Sequence, residues 1–303
     1  MQLRTLFPVA AFAACVLSAV AVRADEPKAR RVTLRTRWKA DDIVTRTSES
    51  KETLAIAQVK DEKVQGEMHK EDKTTTFEVV VKCTGADASG RWMDGVLYFS
   101  TWSIVTASGT DESLAKVHVA LSGHGPKAET KILTPGVEIS EAAQAWLKSE
   151  FGSGSTNDAM LDVLEPKDAV AVGATWSVAG EPLVAALGNE VQLDPVRSNA
   201  KLTWEKSEGG LDTIHGKVVM QLSGLPAGEG GKLLKWKDDK GAIELAFEHT
   251  LKEGSHESTT EMEAEGEGIA DAGAEGEIHF ATKQAQKVVT REGGTLPDVP
   301  AAK

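Results

Sequence analysis

The densest run of side chains able to do chemistry is Glu261, Glu263, Glu265 and Glu267, alternating with Met262, Ala264, Gly266 and Gly268. On a β-strand, alternate side chains share a face, so the four carboxylates stand in one row about 6–7 Å apart. Carboxylate oxygens suit calcium or another hard cation, but one ion needs ligands converging from several directions, which a straight row does not supply. The row is therefore expected to be a solvated face, set beside the basic row of Arg31, Arg35, Arg37 and Lys39. Opposed charges on neighbouring strands contribute only about 0.2–1 kcal/mol per pair. Gly266-Glu267-Gly268 with Asp271 has part of a calcium-binding nonapeptide pattern. It occurs once, lacks the double glycine and has the wrong spacing.

The other reactive side chains form no recognisable constellation. His69, His118 and His215 fall on polar strand faces, and His124 sits in a Gly-His-Gly loop. His249 shares an apolar face with Phe247 and Leu251, which predicts a core histidine, because no second His or Cys stands at metal spacing. His256-Glu257 does not continue into H-E-x-x-H, and there is no G-x-S-x-G elbow, no phosphate-binding Walker loop and no G-x-G-x-x-G turn. Cys83 ends the alternation Phe77, Val79, Val81, Cys83, which predicts a buried structural thiol. Trp38, Trp176 and Trp204 lie on apolar strand faces and Trp146 on an apolar helix stripe, so core packing is their default over stacking on sugar rings. Trp92 and Trp236 are surrounded by loops and charge. No catalytic, cofactor-binding or metal-ligating residue is nominated, and no cofactor is expected.

Residues 1–24 set the compartment. Arg4 gives a positive n-region, Leu6 to Val22 is apolar except for Ser18, and Val22-Arg23-Ala24 suits cleavage before Asp25. This reads as a secretory signal peptide. Phe12-Ala13-Ala14-Cys15 loosely resembles a lipoprotein box, but the chain stays apolar after Cys15, so cleavage near Ala24 is expected in preference to lipid anchoring. Arg4 and Arg23 leave with the signal, so 32 basic side chains face 46 acidic ones, a formal charge of −14. That charge repels phosphate backbones and disfavours nucleic-acid binding. With Cys15 removed, Cys83 is the only thiol and no intramolecular disulfide can form. No later segment reaches the roughly 18 apolar residues of a membrane span, so the mature chain is not expected to be transmembrane.

The elements that must position these residues are mostly strands. Period-two alternation marks 31–39, 54–59, 64–68, 74–83, 96–105 and 114–121, with Glu71-Asp72-Lys73 as a turn. After Thr134-Pro135-Gly136 the period changes. Ser140 is a candidate N-cap, and Ile139, Ala142, Ala143, Trp146 and Leu147 form a helical stripe ended by Gly152. A Gly/Ser joint and a second short helix capped by Asn157 follow. Strands resume over 170–178, and Gly180-Glu181-Pro182 opens a short helix. Further strands lie around 202–204, 214–222, 243–251 and 261–280, with turns at Glu208-Gly209-Gly210 and Asp271-Ala272-Gly273. The expected fold is mainly β: an antiparallel N-terminal module over 28–136, a helical connector over 137–165, and a C-terminal β module over 166–292. Residues 293–303, with Pro297 and Pro300, read as a disordered tail. A single large sheet wrapped over the helices is the alternative arrangement.

Leu164-Glu165-Pro166 followed by Val170-Ala171-Val172-Gly173-Ala174-Thr175-Trp176, together with Gly266 to Asp271 and Gly276, resembles a group of secreted bacterial β-rich proteins known only as a domain of unknown function. The likeness covers about 164–290. It implies a β fold and an envelope location, and no activity. The function expected from sequence is a secreted or periplasmic non-catalytic protein that binds an unknown protein or small apolar ligand, or is structural. The alternatives are a carrier of a lipid-like molecule and an enzyme of unrecognised type.

Overall fold

The computed structural model describes residues 29–34, 37–61, 63–123, 129–152, 156–187, 193–227, 232–273 and 276–301. The N-terminal half supplies β1 (Ile43–Lys60), β2 (Lys63–Ala86), β3 (Trp92–Thr106), β4 (Gly109–Asp111), β5 (Val117–Ser122) and β6 (Glu129–Ile132). A helical interval follows, with α1 (Glu141–Leu147), a π-helical turn (Lys148–Gly152) and α2 (Thr156–Leu164). Next come β7 (Thr175–Ala179) and α3 (Gly180–Leu187). The C-terminal half continues with β8 (Asn199–Glu208), β9 (Leu211–Gln221), β10 (Leu225–Ala227), β11 (Lys232–Lys252), β12 (Ser258–Asp271) and β13 (Glu277–Glu292).

The chain is mainly β, and every pairing is antiparallel. The strands join in one sheet of order β6-β5-β3-β2-β1-β13-β12-β11-β9-β8-β7, with β4 on β3 and β10 on β11. The two halves meet where β1 pairs β13, in register from Val44 opposite Glu292 to Val59 opposite Glu277. They remain distinct as cores on one face of this sheet. Phe77, Val79, Leu97, Phe99, Trp102 and Val119 pack beneath Ala143, Leu147 and Phe151 of the first helical layer. Leu202, Trp204, Ile214 and Val218 pack beneath Leu164 of α2 and Leu183 of α3. The N-cap at Ser140 explains where α1 starts, since its hydroxyl accepts from the Ala143 amide at 2.9 Å.

Residues 30–34 and 37–39 differ from expectation. The alternation is real, but these residues form a strap across the helix-covered face instead of a strand within the ladder. Arg30 makes an isolated bridge to Val170, and Val32 and Leu34 are buried in the C-terminal core. Trp38 packs on the N-terminal core. Arg30 grips Asp212 through two contacts of 2.6 Å, also pairs with Glu253, and lies over the Trp204 ring at 4.8 Å. The Leu34 amide donates to Glu165 at 2.8 Å. Arg35 lies outside the described residues.

Two local expectations are also corrected. Glu71-Asp72-Lys73 is no turn: these residues pair with Leu54, Thr53 and Glu52 inside β2. The turn lies beyond Lys60, where Asp61 adopts a positive φ of 51°. The charges cluster at 71–73 because this arm of the β1–β2 hairpin extends past β3, whose pairing with β2 stops at Thr74 opposite Val105. Likewise residues 171–174 form a turn around Gly173 (φ +87°), and the strand begins only at Thr175.

Past β13 the chain returns over the opposite face of the sheet. The Gly293 carbonyl accepts from the Thr45 hydroxyl at 3.0 Å, and the Pro297 carbonyl lies 2.9 Å from His118 Nε2. His118, placed on a polar face by the sequence, is accordingly only 2% exposed.

The strap gives a direct stability test. Leu34 is fully buried, so Leu34→Ala should cost about 2–5 kcal/mol in urea unfolding. An exposed N-terminal segment would give less than about 0.5 kcal/mol.

Candidate functional site

Register fixes which side chains share each face of the central strands. On the face away from the helices, one row reads Glu49, Lys287, Glu261, Glu248, His215 and Thr203 across β1, β13, β12, β11, β9 and β8. The next reads Lys51, Ala285, Glu263, Ala246, Lys217 and Lys201. These side chains line an open groove of about 750 Å³, with Ala246 and Ala285 between the charged side chains.

The glutamate row of β12 lies here, but its basic partners are not Arg31 to Lys39. Lys287 donates to Glu261 at 2.6 Å and Lys283 to Glu265 at 2.5 Å, both from β13. These contacts raise both lysine pKa values through hydrogen bonding and charge. The pairs are more than half exposed, so solvent screening leaves each with little effect on stability. No group of three or more His, Cys, Asp or Glu side chains placed to hold a metal occurs among the described residues.

The helix-covered face of the same strands is different in character. Its rows read Ser50, Gln286, Met262, Phe247 and Gly216, then Glu52, Gln284, Ala264, Leu245 and Val218, then Leu54, Thr282, Gly266, Ile243 and Met220. Further along, Ile56, Phe280, Gly268 and Gly241 share a row. Leu54, Ile56, Met262, Ile278, Phe280 and Ile243 are half-buried and belong to neither core. They form an apolar trough between the two helical layers.

Glycines keep its floor low. A Cβ on Gly266 would stand 2.9 Å from Ile243 Cγ1, and one on Gly241 would meet the Trp236 ring at 2.1 Å. Neighbouring large side chains thus lie flat across the glycine positions. Trp236 is fixed there by donating its indole N–H to the Leu222 carbonyl at 2.9 Å. Sequence reading singled out none of these trough residues as a group. The available signal was the polar interruption Thr282, Gln284 and Gln286 on one face of β13, flanked by Phe280 and Val288.

The strap closes one end of the trough over two histidines. His249 is buried, with Nδ1 2.9 Å from the Thr260 hydroxyl and the Leu34 backbone beside it. Burial pushes its pKa down to about 4, against a smaller opposing effect of the Leu34 backbone. His256 Nε2 lies 2.9 Å from Asp42, and its ring is 4.5 Å from Trp38. Cys83 is fully buried, and burial raises its thiol pKa, so it matches the expected structural thiol. His124 lies outside the described residues.

No protein-family model matches the chain, and no curated protein matches its sequence. Among solved structures, one of lipovitellin described for its lipid–protein interactions aligns with 88% of this chain at 8% identity and a TM-score of 0.40. The chain spans about a quarter of that protein's length (26%), and the likeness is too low to assign fold or function. No helix among the described residues is long and apolar enough to cross a membrane.

Burial of neutral His249 makes strap docking acid-sensitive. Its folded pKa is depressed, so its stability contribution is complete above about pH 6.5 and is lost as pH falls toward 4. At pH 5 the loss attributable to it should be about 2 kcal/mol. His249→Gln should flatten the stability profile between pH 7 and 5. An unchanged slope would place the acid sensitivity elsewhere.

Proposed function

We propose that this chain is a non-catalytic binding protein of the secreted or periplasmic compartment, and that its inner trough takes an elongated, lipid-like apolar ligand. The observation that carries this reading is the set of half-buried apolar side chains between the cores. Leu54, Ile56, Ile278, Phe280, Met262 and Ile243 point to the helix-covered face, yet neither helical layer packs on them. Apolar surface of this kind gains about 25 cal/mol per Å² when a ligand removes it from water. The outer groove differs in that paired lysine and glutamate side chains stand along it, with Ala246 and Ala285 between them.

The test is native mass spectrometry of protein purified from its own source, with a denatured run alongside, and titration of the stripped protein with N-phenyl-1-naphthylamine. Extra native mass lost on denaturation, with saturable dye binding, is the expected result. Met262→Lys should weaken dye binding by about 10–100-fold, because it sets a charge in the middle of the apolar surface. A bare native mass together with no dye binding would overturn the carrier reading. The denatured mass also reports whether the chain starts at Asp25 or carries lipid on Cys15.

A further inference from the structure

The inner face is not uniformly apolar, and the change runs lengthwise between β12 and β13. On the β11–β12 side the successive inner positions are Phe247, Leu245 and Ile243, then Met262, Ala264, Gly266 and Gly268. None of these seven positions carries a side-chain hydrogen-bond donor, and the Met262 thioether is the one weak acceptor. Across the boundary, at the strap-proximal end, β13 and β1 present Gln286, Gln284, Ser48, Ser50 and Glu52, with Thr75 of β2 opposite Ser50. We propose that the trough's ligand is a single-chain amphiphile with an uncharged, hydroxyl-bearing head. The head sits on this Ser/Gln strip and the tail runs over β11 and β12. The inference rests on the reading that the trough binds an apolar ligand.

Three observations support it. First, Gln284 and Gln286 are half-buried and so reachable from the trough, and their amides lie against Ser50 and Ser48, which are only 6% and 7% exposed. Second, the bonds within the strip are long. Gln286 Nε2 to Ser48, Gln284 Nε2 to Ser50 and Ser50 to Glu52 each measure 3.4 Å, beyond the usual 2.7–3.2 Å range. A ligand hydroxyl, both donor and acceptor, would give these groups shorter partners. Third, the charges at the strip's margin cancel: Glu52 is paired with Lys73 at 3.5 Å, and Arg46 with Glu150 at 2.5 Å. A neutral head fits this surroundings better than an anion or a cation, which would find each opposite charge already engaged.

The experiment is displacement of N-phenyl-1-naphthylamine from the purified protein by three ligands of equal chain length: monodecanoylglycerol, methyl decanoate and sodium decanoate. Monodecanoylglycerol should bind about tenfold tighter than methyl decanoate, the gain of one or two buried hydrogen bonds. The Gln284→Leu/Gln286→Leu double variant should reduce that preference to under about threefold. If the double variant loses its β-sheet circular dichroism, Ser50→Ala is the substitute, with the same expected direction. Equal binding of the two esters, tighter binding of decanoate, or an unchanged preference in the variant overturns the neutral-head inference while leaving the trough intact. Failure of the dye itself to bind removes both readings at once.

Discussion

The antiparallel pairing of β1 with β13 is the constraint on which the rest of the structure depends. It brings the first and last long strands of the chain side by side, so the sheet is joined at its centre by the most sequence-distant contact in the molecule. Closing so long a loop costs little more entropy than closing a moderate one, because the cost grows only logarithmically with length. A ladder from Val44 to Val59 can offset it. Once that seam forms, the meander runs outward in both directions, and its two edges, β6 and β7, are left to strands that flank the helical interval. The interval must therefore cross from one end of the sheet to the other over a single face.

That crossing explains why there are two cores and a trough between them. The first helical layer buries its stripe of Ala143, Leu147 and Phe151 on the N-terminal strands, and α2 and α3 bury Leu164 and Leu183 on the C-terminal ones. The central strands are left with the strap as their main cover at one end. Packing there is replaced by large side chains lying on glycines, as Phe247 does on Gly216 and Trp236 on Gly241. The opposite face carries the charged rows, whose ion pairs are exposed and individually weak. One face of the same strands is thus charged and the other largely apolar.

Much of this was legible in the alternation of the sequence. The fold class, the helix opening at Ser140, the buried Cys83 and the apolar placement of His249 all follow from local periodicity and capping. What local pattern could not supply was pairing. The strap, residues 30–34 and 37–39, alternates like a strand, yet Val32 and Leu34 turn that alternation onto the face of the sheet. Glu71 to Lys73 carry turn-like charge, yet lie on a hairpin arm that reaches beyond β3. The acidic row of β12 required a basic neighbour, and only the register identifies it as Lys283 and Lys287. The trough was hidden for the same reason, since Leu54, Met262 and Phe280 become neighbours only through the β1–β13 seam.

The most direct test of this account is a methyl NMR titration of the protein labelled at its methionine methyl groups, with N-phenyl-1-naphthylamine added in steps. Met262 faces the trough, Met220 lies at its margin beside the C-terminal core, and Met68 is exposed on the hairpin arm. The account predicts a saturable shift of the Met262 methyl, a smaller one at Met220 and none at Met68. A titration that moves Met68 while leaving Met262 unchanged would contradict it.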